Sequence, residues 1–242
     1  MNKLYIVGTP IGNMGDISKR AVETLASSEA IITENQNTAK KLFSLLNIPK
    51  ADKHFLTVAE FNDSLVVQKA IDFINQHNKT SLITEAGTPL ISDPGYKIIS
   101  VIREQNLDID VTAVPGVSSV TTHLSVSGLP TDKFMFIGFL PKSGAKKQNI
   151  LKKLKDINKI LKTTFVIFES KYKIIQTLEQ IAQQYPDCKV SLANDLTKMY
   201  EKVYYGNIQS VLNNLKQNPV KGEFVMHLQL NGSKRSTHKK DS

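Results

Sequence analysis

Short β-branched and apolar runs alternate with longer amphipathic stretches along almost the whole chain, and that pattern leaves few folds open. Strands are expected at residues 4–8, 30–33, 55–58, 81–84, 111–114, 134–138, 164–168, 189–193, 202–205 and 223–229. Helices are expected between them, at 16–28, 37–46, 62–76, 95–105, 117–127, 145–161, 171–184 and 207–217. In the first helical stretch Ile17, Ala21, Val22 and Leu25 recur at helical spacing, with Asp16 placed as an N-cap. In the seventh, Ile174, Ile175, Leu178 and Ile181 do the same. Strand–helix alternation predicts an α/β fold with mainly parallel sheet and helices on its faces. A segment rich in Gly, Ser and Pro around 113–133 is the expected junction of two halves. The expected domains are 1–114 and 115–231, followed by a basic tail, 232–242, read as disordered.

A chain of 242 residues is long enough to bury a core without disulfide or metal support. Its single cysteine, Cys188, excludes an internal disulfide and a cysteine-based zinc site. The five histidines are scattered without ligand spacing, so no metal is expected. No apolar run has the length of a membrane span. The chain enters the run Leu4–Val7 without the longer core of a signal peptide, so the expected compartment is the cytoplasm.

Charge narrows the partners. Lysine plus arginine number 31 against 22 acidic residues, a formal +9. Residues 142–162 hold eight lysines (Lys142, Lys146, Lys147, Lys152, Lys153, Lys155, Lys159 and Lys162) against one acid, Asp156. The last ten residues add Lys234, Arg235, Lys239 and Lys240. Such density attracts polyanions through counterion release, or is simply a solvated helix face. The absence of Trp and scarcity of Arg speak against a dedicated base-stacking platform.

Three Gly/Pro-rich loops each follow an expected strand: Gly8-Thr9-Pro10-Ile11-Gly12-Asn13, the segment from Glu85 to Gly95, and Pro115-Gly116-Val117-Ser118-Ser119. In a parallel sheet the carboxyl ends of the strands share one edge, and ligands bind outside it. Glycine admits close backbone approach and proline fixes the turn. The glycines do not fit a dinucleotide fingerprint, and no phosphate loop or nucleophile elbow is present. The residues alone thus point to an α/β ligand-binding enzyme acting near nucleic acid.

The strings LYIVGTPIGNMGDIS (4–18), LITEAGTPLISDPGYKII (82–99), AVPGVSS (113–119), GLPTDKFMFIGFLP (128–141), FES (168–170), LTK (196–198) and KGEFV (221–225) stand in family order. Together they resemble the tetrapyrrole-methylase superfamily, and within it the branch that 2′-O-methylates a cytidine ribose of small-subunit (16S) ribosomal RNA. The resemblance covers about residues 3–230. It implies two α/β domains, a mainly parallel N-terminal sheet and a mixed C-terminal one, with a cleft that holds S-adenosyl-L-methionine (SAM), in a homodimer. It assigns to SAM Pro10, Gly87, Thr88, Leu90, Ile91, Ser118 and Ser119 from the first domain. From the second it assigns Phe168, Ala193, Gly222 and Glu223, with Glu169 beside them.

The chain departs from the family in places. Glu34-Asn35-Gln36-Asn37-Thr38 stands where the family has Glu-Asp-Thr-Arg-x-Thr, and Ala193-Asn194-Asp195-Leu196-Thr197-Lys198 where it has Ala-Arg-Glu-Leu-Thr-Lys. Two arginines are gone, and lysine does not reproduce their bidentate fork. The family commonly adds a small helical C-terminal domain, for which only the basic tail stands here. Methyl transfer to a weakly acidic ribose hydroxyl needs positioning and a nearby base or cation. Glu34, Glu85, Glu169, Asp195 and Lys198 are the candidates, and Glu34, Glu169 and Lys198 are the expected substrate-handling residues. Two other readings stay open: the same cofactor with a small-molecule or protein acceptor, and a non-catalytic RNA-binding relative.

Overall fold

The computed structural model describes residues 2–58, 63–93, 95–142, 144–218 and 221–230. All ten strands and all eight helices form where the periodicity places them, within a few residues at the ends. The basic tail lies outside the described residues. The chain divides into two compact units, which meet in sequence between Ser119 and Val120.

The first unit is built on β1 (Asn2–Val7), β2 (Ala30–Thr33), β3 (His54–Thr57), β4 (Lys79–Ile83) and β5 (Ile109–Val114), in the order β3-β2-β4-β1-β5, all parallel. Successive apolar residues point to opposite faces. Ile31 and Ile83 join Ala21 and Leu25 of α1 (Lys19–Ser27) and Ala39 and Phe43 of α2 (Gln36–Leu45). Their neighbours Ile32 and Leu82 join Val67 and Ile71 of α3 (Ser64–Asn75) and Ile98 and Ile102 of α4 (Tyr96–Glu104). Helices therefore cover both faces, the arrangement that near-continuous apolar strands require.

Asp16 does not cap α1. It ends a 3-10 turn, Met14–Asp16, which Asn13 caps, and Ser18 takes over as N-cap by accepting from the Ala21 amide at 3.1 Å. Serine caps as well as aspartate, and it is Ser18 that directly precedes the first helical residue, Lys19.

The second unit carries a mixed sheet of β6 (Phe134–Phe139), β7 (Thr164–Ser170), β8 (Lys189–Asn194), β9 (Lys202–Asn207) and β10 (Glu223–Gln229), ordered β6-β7-β10-β8-β9. Only β6 and β7 pair in parallel. One face packs on α6 (Gly144–Ile160), α7 (Ile174–Gln184) and α8 (Ile208–Lys216) through Phe165, Ile167, Leu192, Phe224 and Met226. On the opposite face Val166 and Val225 pack with Val120 of α5 (Ser119–Val126). His123 of the same helix bonds Ser191 of β8 at 2.9 Å. That packing places the division at 119/120 rather than at 114/115: α5 belongs with the second sheet.

Candidate active site

In the first sheet β4, β1 and β5 are adjacent, so the three Gly/Pro loops leave neighbouring strands on one carboxyl edge. The β1 and β4 loops are tied by a two-way bridge, with Thr9 N–H donating to Gly87 O at 2.9 Å and Gly87 N–H to Thr9 O at 3.1 Å. Thr88 Oγ1 donates to Val117 O at 3.1 Å and joins the β4 and β5 loops. Pro10 and Gly87 are buried, Thr88, Leu90, Ser118 and Ser119 are half-buried, and Ile91 is 49% exposed.

The backbone of the β4 loop is strained where a ligand is expected. Leu90 and Ser92 hold φ at 71° and 66°, and Gly87 at 86°. Left-handed non-glycine residues cost about 1–3 kcal/mol each, and persist where the surroundings dictate them, often at ligand clamps. Gly87 takes that conformation freely, so its glycine identity is explained by the turn itself.

Beside these loops Glu34, just after β2, accepts from Thr84 Oγ1 at 2.7 Å, and Glu85 accepts from Thr38 Oγ1 at 3.3 Å. A third carboxylate, Asp93, was not among the candidates read from the sequence. Burial, then the charges of Glu34 and Glu85, hold its carboxyl above the usual range. Perturbed carboxyls on a ligand-facing edge mark functional sites. Its place in the eleven-residue Gly/Pro loop was the available signal. Asn35, which replaces the family's acid, is the N-cap of α2 and accepts from the amides of Asn37 and Thr38.

In the second unit the candidates gather at the carboxyl end of β7 and β8, where β10 begins. Phe168 and Ala193 flank Val225 in one cross-strand row. Phe168 also meets Phe136 and Phe139 edge to face, at 4.9 and 5.5 Å between centroids. Glu169 points the other way, because side chains alternate along a strand. It is 5% exposed and lies among the helices, where it accepts from Thr177 Oγ1 at 2.6 Å and from the Ser170 amide at 2.9 Å. Lys147 Nζ reaches the same Thr177 hydroxyl at 2.5 Å and lies 3.9 Å from Glu169 Oε2.

Lys147 is therefore not part of a solvated lysine face: it is 5% exposed. Burial, then Lys173, pushes its ammonium below the usual range, and Glu169 opposes them. The other seven lysines of 142–162 are exposed. Lys198 bonds Asp195 at 3.2 Å and Glu223 at 3.0 Å. Burial would lower its pKa, but those two carboxylates outweigh it and hold the ammonium charged. Lys198 is thus a fixed cation. Gly222 holds φ at 78°, and its Cα faces the Asp195 carboxylate so closely that a side chain there would collide. Asn194, which replaces a family arginine, donates to Lys221 O at 2.7 Å and ties β8 to the start of β10.

The candidates thus form two sets, one on each unit: Pro10, Glu34, Gly87, Thr88, Leu90, Ile91, Ser118 and Ser119 on the first, and Phe168, Glu169, Ala193, Lys198, Gly222 and Glu223 on the second. Among the described residues no His, Cys, Asp or Glu group is arranged to hold a metal, and no helix is long and apolar enough to cross a membrane.

Comparison with known proteins supplies the family. The family model for tetrapyrrole (corrin/porphyrin) methylases matches residues 3–212. Ribosomal RNA small subunit methyltransferase I of Rickettsia prowazekii is 40% identical over 223 residues, covering 92% of this chain and 76% of the relative. The protein of the same name from Thermotoga maritima is 33% identical over 228 residues, covering 94% and 98%. Among solved structures, uroporphyrin-III C-methyltransferase from Thermus thermophilus, complexed with S-adenosylhomocysteine, superposes with a TM-score of 0.63 at 13% identity, covering 94% and 97%. With the strand orders and loop positions described above, these matches place the chain in the tetrapyrrole (corrin/porphyrin) methylase family.

Proposed function

We propose that this protein is a SAM-dependent methyltransferase that 2′-O-methylates a cytidine ribose of small-subunit ribosomal RNA, acting in the cytoplasm as a homodimer. The observation that carries the reading is the 40% identity, over 92% of the chain, to a ribosomal RNA small subunit methyltransferase. The exposed lysines of α6 add a phosphate-attracting face.

The first unit's edge fits SAM by its donor set. A charged amino-acid moiety and a ribose call for backbone amides, carbonyls and carboxylates. The loops supply Glu85 and Asp93, and left-handed backbone at Gly87, Leu90 and Ser92. Pro10, Gly87, Thr88, Leu90, Ile91, Ser118 and Ser119 would hold the cofactor there; Phe168, Ala193, Gly222 and Glu223, on the second unit, are the further cofactor residues that the family resemblance implies. When bound, SAM supplies an activated methyl group and its own leaving group.

The chain's residues then orient the ribose and manage one proton. Glu34, with a perturbed carboxyl beside it, is the proposed acceptor of the hydroxyl proton. Lys198, kept charged by its two partners, is the proposed stabiliser of developing negative charge. Glu169, its carboxylate committed to Thr177 and Ser170 on the helix side of β7, is proposed to fix the carboxyl end of that strand rather than to touch the ribose.

Mapping ribose methylation in small-subunit RNA from cells lacking the gene tests the reading. One cytidine should lose its 2′-O-methyl group and regain it on complementation with the wild-type chain but not with Glu34→Gln. An unchanged methylation map would overturn the proposed substrate.

A further inference from the structure

The strands β6, β7 and β8 all end at one edge of the second sheet, where β9 and β10 begin. That edge carries large side chains that no core accounts for. Phe139 is 61% exposed, Tyr172 84%, Met199 88% and Tyr200 77%. Two local devices bear on three of them, Phe139, Met199 and Tyr200. A bulge between Phe136 and Gly138, with Gly138 at φ 71°, directly precedes Phe139, and bulges re-aim the side chains beside them. The loop after β8 keeps Asp195 and Thr197 at φ 49° and 66°, just ahead of Met199 and Tyr200.

Cations frame these rings. Lys142, Lys171, Lys202 and Lys221 are exposed on the same edge. Among the described residues none of the four has a carboxylate within ion-pair distance. Lys171 Nζ lies 4.9 Å from the centroid of the Tyr172 ring. The acids of the edge are already engaged: Asp195 and Glu223 with Lys198, and Glu201 with the Thr197 amide. A second copy presenting the same edge would bring like charges together. A flexible polyanion with flat apolar faces fits both the lysines and the rings.

We propose that this edge is a stacking face for unpaired bases of single-stranded RNA, with Phe139, Tyr172 and Tyr200 against the bases and Lys142, Lys171, Lys202 and Lys221 along the phosphates; the lack of Trp and scarcity of Arg, which spoke against a stacking platform, leave that role to Tyr and Phe. From β6 to β9 is four strand spacings, about 19 Å, so the face takes a run of nucleotides rather than a single one. Base–aromatic stacking is tolerant of sequence, so this face adds affinity and leaves target choice to other contacts. The assignment rests on the reading that the substrate is RNA.

The test uses the full chain, a fluorescent single-stranded pyrimidine oligoribonucleotide and anisotropy at fixed salt. Tyr172→Ala and Tyr200→Ala should each weaken binding, by about 5- to 150-fold. Tyr172→Phe and Tyr200→Phe should retain it, since the ring face survives. SAM affinity, measured by calorimetry, should not change in any of the four. If the wild-type chain methylates small-subunit RNA while both alanine variants bind the oligonucleotide normally, the face is wrong and the methylation reading stands. If the alanine variants change the sedimentation of the protein and leave RNA affinity intact, the edge is a contact between copies, which also overturns the proposal. If the wild-type chain binds SAM but neither the oligonucleotide nor small-subunit RNA, both readings fall together.

Discussion

Gly8 and Gly116 meet backbone against backbone: a Cβ added to Gly8 would lie 2.8 Å from Cα and N of Gly116, and one added to Gly116 would lie 2.9 Å from Cα of Gly8. Neither residue has a positive φ, so the requirement for glycine is close approach alone. The contact locks the loop after β1 to the loop after β5 and thereby shapes the middle of the proposed cofactor edge.

Gly8→Ala and Gly116→Ala should each cost about 1–3 kcal/mol, the usual penalty for overpacking. The double variant should cost less than the sum, because one separation of the two loops relieves both collisions. Urea midpoints measure the stability, and calorimetry should show weakened SAM binding in both single variants. Additive losses with unchanged SAM affinity would refute this role for the glycine pair.

The lysines of α6 should separate into two kinds. Lys147→Met leaves the Glu169 carboxylate buried without its cation, a change that typically costs roughly 3–5 kcal/mol. Adding Glu169→Gln should recover part of the loss. Changing Lys146, Lys152 and Lys153 to glutamine should shift stability by less than about 0.5 kcal/mol each. It should instead flatten the dependence of log RNA affinity on log salt, by about 0.7–0.9 for each phosphate that a lysine no longer neutralises. Equal stability effects at all four positions would contradict the burial of Lys147.

Acid should reveal a buried histidine pair. The rings of His123 and His227 stack at 4.3 Å, both fully buried. Burial pushes His123 down to about 4, against a backbone bond to Val225. Burial and then the charge of His123 push His227 down to about 3. Unfolded histidines bind protons near pH 6.5, whereas these accept them only well below that. The stability they contribute is therefore complete above about pH 6.5 and drains away as pH falls towards 4, by about 1.4 kcal/mol per pH unit per histidine. His227→Leu should roughly halve that slope between about pH 6 and 4.5 in urea titrations. An unchanged slope would show that other groups govern the acid response.

Asp93→Asn should stabilise the protein at neutral pH and weaken SAM binding. The raised pKa means that the folded state resists the charge Asp93 carries there, so neutralising the side chain relieves a cost. A higher melting temperature with lower affinity is the signature of a strained functional group. A lower melting temperature would place Asp93 in a purely structural role.

Element positions were legible because strand and helix periods are local. The β4 loop was legible for the same reason: its prolines and glycines are adjacent in sequence. What was missed lies across elements or on a face. Lys147 stands at the head of the buried stripe Lys147, Leu151, Leu154 and Asn158, so helical spacing within α6 held the clue that the density of lysines masked. Glu169 follows Phe168 directly, and strand alternation alone sends the two to opposite faces. The gathering of Glu34, Glu85 and Asp93 around Thr84 requires the β2–β4 pairing, and the histidine stack requires α5 to dock on β10. Neither is encoded in any short window.

Transfer of a labelled methyl group from SAM to small-subunit RNA by the purified chain tests the central claim most directly. Label is expected in one cytidine ribose, recovered as an alkali-resistant dinucleotide, with near-complete loss in Glu34→Gln while SAM binding is retained. Tight SAM binding with no label in RNA, or label in a tetrapyrrole instead, would contradict the proposed activity.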